Sequence, residues 1–366
     1  MTEFAFGSEF TIGVEEEVLL VDPRTFELAP VAADVLAAID AAPDAAGHEA
    51  YAAQIELRSS PSGTAADALA DVGRLRLAAV AAGATLLPSG LHPTAGYGDV
   101  ELVPTERYER VAGEMRGLLR RTPESALHVH VGLPDEGSAI RVFNALRGRL
   151  PLLLGLAANS PWWFGADSGL ASARWALVRS YPGRGVPDPL KSIDDAYART
   201  AALLAVADVP EATFLWWDLR LHPTYGTVEV RELDVQSSLE SSAAIGALVR
   251  ALALEARETP PAVPASSETL SWSAFRAARD GTDAKILDDG ALRPLRDVAR
   301  DLVARLRPRA REAGDEDALV GIERLLEEGG GAGRQRAAFA RGGVEAMLRS
   351  LVEDATRPLP ARLFPT

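Results

Sequence analysis

Four short stretches place groups able to do chemistry at every second residue of an apolar segment. The first is TIGVEEEVLLVD, residues 11–22. In an extended chain, residues two apart share a face, so Glu15 and Glu17 point one way while Val14, Glu16 and Val18 point the other. QIEL puts Glu56 at the centre of a second short apolar strand, with Glu49 seven residues upstream. LHVHVG sets His128 and His130 against Leu127, Val129 and Val131, and TVEVREL sets Glu229 and Arg231 against Val228 and Val230. An isolated pair of this kind is more often a solvated strand face or a structural histidine. Four strands with the same habit point to a common site. Carboxylates and imidazoles without thiolates suit Mg²⁺ or Mn²⁺ better than structural zinc. Carboxylates so crowded stay ionised together only where cations neutralise them. The expectation is that these glutamates face a metal-filled cleft rather than a core.

Composition narrows the chemistry further. The 366 residues contain no cysteine, which excludes disulfides, thiolate metal sites and a cysteine nucleophile, and fits a cytoplasmic protein. Lys191 and Lys285 are the only lysines, and neither follows a glycine in the phosphate-loop pattern. Phosphate chemistry would fall to arginines, backbone amides or metal ions. A net charge of −14 argues against nucleic acid as a partner. No segment approaches the about 20 uninterrupted apolar residues of a membrane helix, and MTEFAFGSEF lacks the basic start and apolar run of a secretory signal. A homodimer is the default expectation for a soluble enzyme of this size.

The elements that must carry these groups are strands at residues 10–21, 54–58, 85–88 and 126–132, and a hairpin over 214–235 with FLWWDLRLH and TVEVRELDV joined by PTYG. Helical periodicity marks residues 30–39, 65–82, 108–121 and 138–156, the last interrupted near Pro151. It marks 241–255, 272–280, 292–313, 317–327 and 335–353 after the hairpin. Strands early and helices late predict an α+β fold, an antiparallel sheet covered on one face by helices. A single catalytic domain over 1–366 is expected, its sheet-bearing core at 10–235 and its mainly helical part at 236–355.

In this order GVEEEVLLVD, QIELRSSP, LHVHVGLPD, ANSPWWFGADSGLASAR, GTVEVRELD and GAGRQR closely resemble the glutamate–cysteine ligase type 2 family, across nearly the whole chain. The resemblance implies a glutamine-synthetase-like catalytic fold whose concave sheet face holds ATP, Mg²⁺ and an amino acid. It also implies phosphorylation of a γ-carboxylate followed by displacement of the phosphate by an amine. Matched by motif, the metal ligands would be Glu15, Glu17, Glu49, Glu56, His128 or His130, and Glu229. Arg231 would contact the phosphate and the acyl phosphate. Glutamate and cysteine are the first candidate acid and amine, though sequences of this kind do not fix the amine. An acyl-phosphate route needs no nucleophile from the protein, which agrees with the absence of cysteine and the scarcity of lysine.

Further candidates flank these motifs. Arg220 shares a face with Asp218 and either faces the cleft or pairs across the hairpin. Arg174 and Arg179 could bind carboxylate or phosphate, or lie on a solvated helix face. Asn159 could position ligand or cap a helix, and at least one of Trp162 and Trp163 is expected to be a packing residue rather than a stacking platform. Arg334 and Arg336 flank a glycine-rich turn that could be an anion nest or simply end a helix. His92, in a turn, is expected to be structural. The competing reading is a metal-dependent amide hydrolase using the same carboxylate and histidine cluster.

Overall fold

The computed structural model describes residues 4–39, 41–42, 44–258 and 264–364. In chain order the elements begin with β1 (Ile12–Leu20), α1 (Ala32–Ala38), β2 (Ala46–His48), β3 (Gln54–Arg58), α2 (Ala65–Ala81), β4 (Leu86–Leu87) and α3 (Glu106–Met115). Next come β5 (Ala126–Gly132), α4 (Glu136–Ala157), the hairpin β6 (Trp162–Trp163) and β7 (Ala166–Asp167), α5 (Ala173–Val178) and α6 (Ile193–Ala207). The chain continues through β8 (Leu219–His222), β9 (Thr227–Asp234), α7 (Leu239–Glu258), α8 (Ser267–Asp280), β10 (Lys285–Asp288) and β11 (Ala291–Pro294). It closes with α9 (Leu295–Glu312), α10 (Glu316–Glu328) and α11 (Gly330–Ala355). Ser, Thr or Asp side chains cap most of the helices, as Thr64 does for α2, Asp135 for α4 and Ser192 for α6.

The main sheet is antiparallel, in the order β2-β3-β1-β5-β9-β8, with β4 pairing β1. Its apolar side chains, among them Val14, Val18, Ile55, Leu57, Val129, Val131, Val228 and Val230, join one buried cluster with α2, α4, α7 and the later helices. Alternation therefore leaves Glu15 and Glu17 on the other face, where β1 is only half-buried. The pairing of β5 with β9 slips between Leu127 and Val129, a bulge. Beyond it the apolar alternation of β9 resumes one residue late, at Leu233 and Val235.

Several boundaries differ from expectation. The 138–156 helix is not interrupted: Pro151 sits inside α4. It forfeits one backbone bond there, but Leu150, Leu152, Leu153 and Leu154 are all buried, and packing against α7 and α8 holds the helix together. The first hairpin arm is shorter than FLWWDLRLH, because Ala212–Phe214 forms a 3₁₀ turn and pairing begins at Leu219. The helix expected from Leu292 begins at Leu295, because β10 and β11 form a hairpin there. Asp289 and Gly290 take φ of 45° and 82° at its turn, the positive pair of a two-residue hairpin loop. α6 has no counterpart in the sequence reading. α11 kinks at Gly342 and Gly343, where Gly343 has φ 70°.

Candidate active site

The face of the sheet away from the core lines a cavity of about 880 Å³. Strand register assembles its centre. Glu17 stands opposite Glu56 across β1 and β3, Glu15 opposite His128 across β1 and β5, and His130 opposite Glu229 across β5 and β9. Arg220 of β8 stands opposite Glu229 in turn. Three groups of ligand atoms come together within 4.8 Å: Glu15, Glu56 and His128; Glu15, His130 and Glu229; and Glu17, Glu49 and Glu56. His128 and His130 are therefore both in the cluster.

His128 Nδ1 lies 3.2 Å from Glu15, and His130 Nδ1 meets Thr227 Oγ1 at 3.0 Å. His130 Nε2 lies 3.5 Å from Glu15 and 3.7 Å from Glu229 but is buried with no hydrogen-bond partner among the described residues. Burial would raise the Glu15 carboxyl, but His130 and His128 outweigh it and hold it well below the usual carboxylate range. On the β2–β3 side the balance reverses. Burial and then Glu17 push Glu49 up to about 7, and burial and then Glu49 push Glu56 well up. A donor set of carboxylate oxygens, with a buried imidazole nitrogen left over, fits hard divalent cations, which would relieve that repulsion.

The opposite side is cationic. Arg220 donates to Glu229 from Nε at 2.9 Å, and Arg231 pairs with the other Glu229 oxygen. Burial alone would raise Glu229, but the two guanidinium groups and the histidines hold it far below the ordinary range. Arg174 and Arg184 line the cavity beside Arg231. Arg174 donates through Nη1 to the backbone carbonyls of Glu232 and Leu233 at 3.1 and 3.3 Å. Buried nitrogens Nε of Arg174, Nε and Nη1 of Arg184 and Nε of Arg231 have no hydrogen-bond partner among the described residues. Burial, then Arg174 and Arg231, pulls Arg184 down to about 10. Across the sheet, then, carboxylates give way to histidines and then to arginines with donors to spare, with Arg58 paired to Glu56 on the first side and Glu124 among the arginines on the last.

Of the residues singled out in the sequence, Glu15, Glu17, Glu49, Glu56, His128, His130, Arg174, Arg220, Glu229 and Arg231 line this cavity. Arg220 does both things foreseen for it, facing the cleft and pairing across the hairpin. Asn159, Arg179, Arg334 and Arg336 are not among the lining residues. Asn159 is buried and binds the carbonyls of Pro88 and Val235, while its own N–H donates to Asp234. Arg179 pairs with Asp218 at 2.7 Å and covers the Trp175 ring. Arg334 pairs with Glu328 and Arg336 with Asp167. Trp162 packs on Phe339.

Glu16 is the glutamate that does face the core. It is wholly buried against Arg76 at 2.6 Å and accepts from Ser242 Oγ at 2.7 Å. Sequence reading missed Arg58, which pairs with Glu56, and His222, which lines the cavity near Arg220. The same two-residue alternation in QIELR and LRLH would have found both. Arg184 lies in a loop and left no such trace.

The chain matches the glutamate–cysteine ligase family 2 over residues 11–354. Two proteins of Rubrobacter xylanophilus, provisionally named glutamate–cysteine ligases 2-1 and 2-3, are 34% and 36% identical to it. The first alignment covers 97% of each chain, the second 96% of this chain and 98% of the relative. Among solved structures, a Francisella tularensis glutamate–cysteine ligase in complex with AMP superposes with a TM-score of 0.66 at 14% identity, over 98% of this chain and 91% of that one. A bifunctional glutathione synthetase from Pasteurella multocida superposes at 0.64 and 15% identity, over 97% of this chain and 53% of that one. At such identities the two structures show a shared fold. The sequence match, spanning nearly every element that builds the cleft, goes further: the chain belongs to the glutamate–cysteine ligase family 2.

Proposed function

We propose that the protein is an ATP-dependent carboxylate–amine ligase that joins glutamate, or a closely similar acid, through its γ-carboxyl to cysteine or another amine. The observation that carries this reading is the charge order of the cleft, with a carboxylate–histidine cluster on one side of Glu229 and arginines on the other. Two anions, a triphosphate and a carboxylate, must meet for such a reaction, and both sides of the cleft serve that end. Glu15, Glu17, Glu49, Glu56, His128, His130 and Glu229 would hold Mg²⁺ or Mn²⁺, which neutralises the triphosphate when bound. Glu229 holds Arg220 and Arg231 in place, and Arg231 faces the transferring phosphoryl group. The substrate carboxylate oxygen takes the phosphoryl group and ADP leaves; the amine nitrogen then attacks the acyl carbon and inorganic phosphate departs. Arg174 and Arg184, with donors free, suit the second anion of the substrate.

We read the sheet as glutamine-synthetase-like and the chain as one catalytic domain, since a single apolar cluster runs from Phe10 to Leu363. We read the protein as a cytoplasmic homodimer. No helix among the described residues is long and apolar enough to cross a membrane. The hydrolase alternative draws no support from the comparisons, and the guanidinium nitrogens left without a partner on Arg174, Arg184 and Arg231 suit an anionic partner better than an uncharged amide. ADP release from Mg-ATP and glutamate, with and without cysteine and a panel of amines, tests the proposal. ADP formed only with an amine, and lost in Glu17→Gln and Glu229→Gln, is the expected result. Product released from an amide without ATP would reverse it in favour of the hydrolase.

A further inference from the structure

The turn between β8 and β9 closes one end of the cleft with two aromatic rings. His222 and Tyr225 lie parallel, centroids 4.2 Å apart and planes 9° from each other. The Tyr225 N–H donates to His222 Nδ1 at 3.3 Å. His130 meets both rings edge-on, at 6.1 and 5.9 Å. Gly226 fixes the turn: its φ is +60°, and a Cβ there would come within 2.0 Å of the Ala5 carbonyl oxygen. A residue held from this many sides would ordinarily be packed away, yet Tyr225 is 55% exposed, and both rings line the cavity. A rigid aromatic face at a cavity mouth suits another flat ring.

Strand register gives the direction in which such a ligand must extend. Moving along β9 from the turn, Thr227 lies opposite His222, Glu229 opposite His130 and Arg220, and Arg231 follows. Arg174 binds the backbone still further on, at Glu232 and Leu233. The aromatic pair is thus next to the Glu15–His130–Glu229 ligand group and at the opposite end of β9 from the unpartnered guanidinium nitrogens. We infer that the Tyr225–His222 pair is the stacking platform for the base of the nucleotide, with the phosphates running from the turn along β9 past Glu229 to Arg231. This rests on the ATP-dependent reading above. It assigns the two mouths of the cleft, base at the hairpin turn and amino acid at the Arg174–Arg184 end.

The test separates base from phosphate. Mg-ADP and Mg-tripolyphosphate, which lacks a base, are titrated calorimetrically into the full chain and into Tyr225→Ala and Tyr225→Phe. Loss of one stacking partner should weaken Mg-ADP about tenfold or more, leave tripolyphosphate unchanged, and be rescued in Tyr225→Phe. The unchanged tripolyphosphate affinity also reports that the variant is folded. An ADP affinity unmoved by Tyr225→Ala, or an equal loss for both ligands, overturns the inference while leaving the ligase reading in place. If the unaltered protein binds neither ligand, the ligase reading itself fails and the inference falls with it.

Discussion

At the scale of single residues, Glu229 shows how one buried carboxylate can organise two cations. Arg220 takes one of its oxygens and Arg231 the other. If Arg231 faces the developing charge as proposed, Arg231→Ala is expected to lower kcat for ADP release by about 10²–10³-fold, with a smaller change in KM for ATP. An effect on KM alone would make Arg231 a ground-state contact. His92 illustrates a buried group with no part in the cleft. Its Nε2–H donates to the Phe26 carbonyl at 2.8 Å and its Nδ1 accepts from the Ala95 N–H at 3.0 Å, an arrangement that requires the neutral ring. Burial lowers it from 6.5 to about 4. A depressed folded-state value means that this stability is fully present above pH 6.5 and is lost as pH falls through 4, up to about 3 kcal/mol. Urea unfolding at pH 7 and pH 4.5 should show that loss for the native chain and a flatter dependence for His92→Gln; equal slopes would remove His92 from the account. Glu15, Glu17, Glu56, Glu229 and the two histidines were legible because strand alternation is a two-residue rule that needs no tertiary knowledge, whereas Glu49, just past β2, rested on its spacing from Glu56. Asn159 misled because a polar residue in a loop carries no face, and Arg336, on α11, because nothing local marks its partner; Asp234 and Asp167 both come from distant parts of the chain.

At the scale of elements, the pair of Glu16 and Arg76 explains a carboxylate that strand alternation turns toward the core. Arg76, on α2, uses its guanidinium to bind Glu16 of β1, the carbonyls of Gln236 and Ser237 beyond β9, and that of Ala355 at the end of α11. One side chain thus ties the sheet to two helices and to the segment that leads into α7. Removing one partner of such a pair strands the other charge in the core, so Arg76→Met should cost about 3–5 kcal/mol in urea unfolding. Replacing both, as Glu16→Leu with Arg76→Met, should recover part of that loss; a double variant as unstable as the sum of the singles would show no coupling. The strands Gln54–Arg58 and Ala126–Gly132 were legible to the residue, because short apolar runs between polar turns leave few alternatives. The β10–β11 hairpin was missed although Asp289–Gly290 signals it, since the apolar residues after it continue the period of α9. Pro151 argued for a break that the surrounding packing suppresses, a case of tertiary contacts overriding a local rule.

At the scale of the whole molecule, a net charge of −14 looks unsuited to a protein proposed to bind a triphosphate. The cleft resolves this mainly by sorting its charges, with local balance where Arg58 pairs with Glu56 and where Glu124 lies beside Arg174 and Arg184. Glu49 and Glu56 occupy the β2–β3 side, Glu15 and Glu17 stand on β1, the histidines on β5, and the arginines on β9, β8 and α5. Sheet order therefore converts a sequence of separate motifs into a gradient, which no single motif displays. The acidic side is a concentrated source of repulsion in the folded chain alone, and the unfolded chain disperses it. Any ion that binds the folded cluster and not the unfolded chain must stabilise the fold, by about 2.7 kcal/mol at a concentration one hundred times its Kd. Protein stripped of metal by a chelator should accordingly gain thermal stability on addition of Mg²⁺ or Mn²⁺, and Na⁺ at matched ionic strength should not reproduce the gain. Glu56→Gln belongs to two of the three ligand groups and should reduce the Mg²⁺ response, while its metal-free Tm should rise or stay level because one repelling charge has gone. A metal-free Tm that falls instead, together with an intact Mg²⁺ response, would show that Glu56 serves the fold through Arg58 and that the cations bind elsewhere.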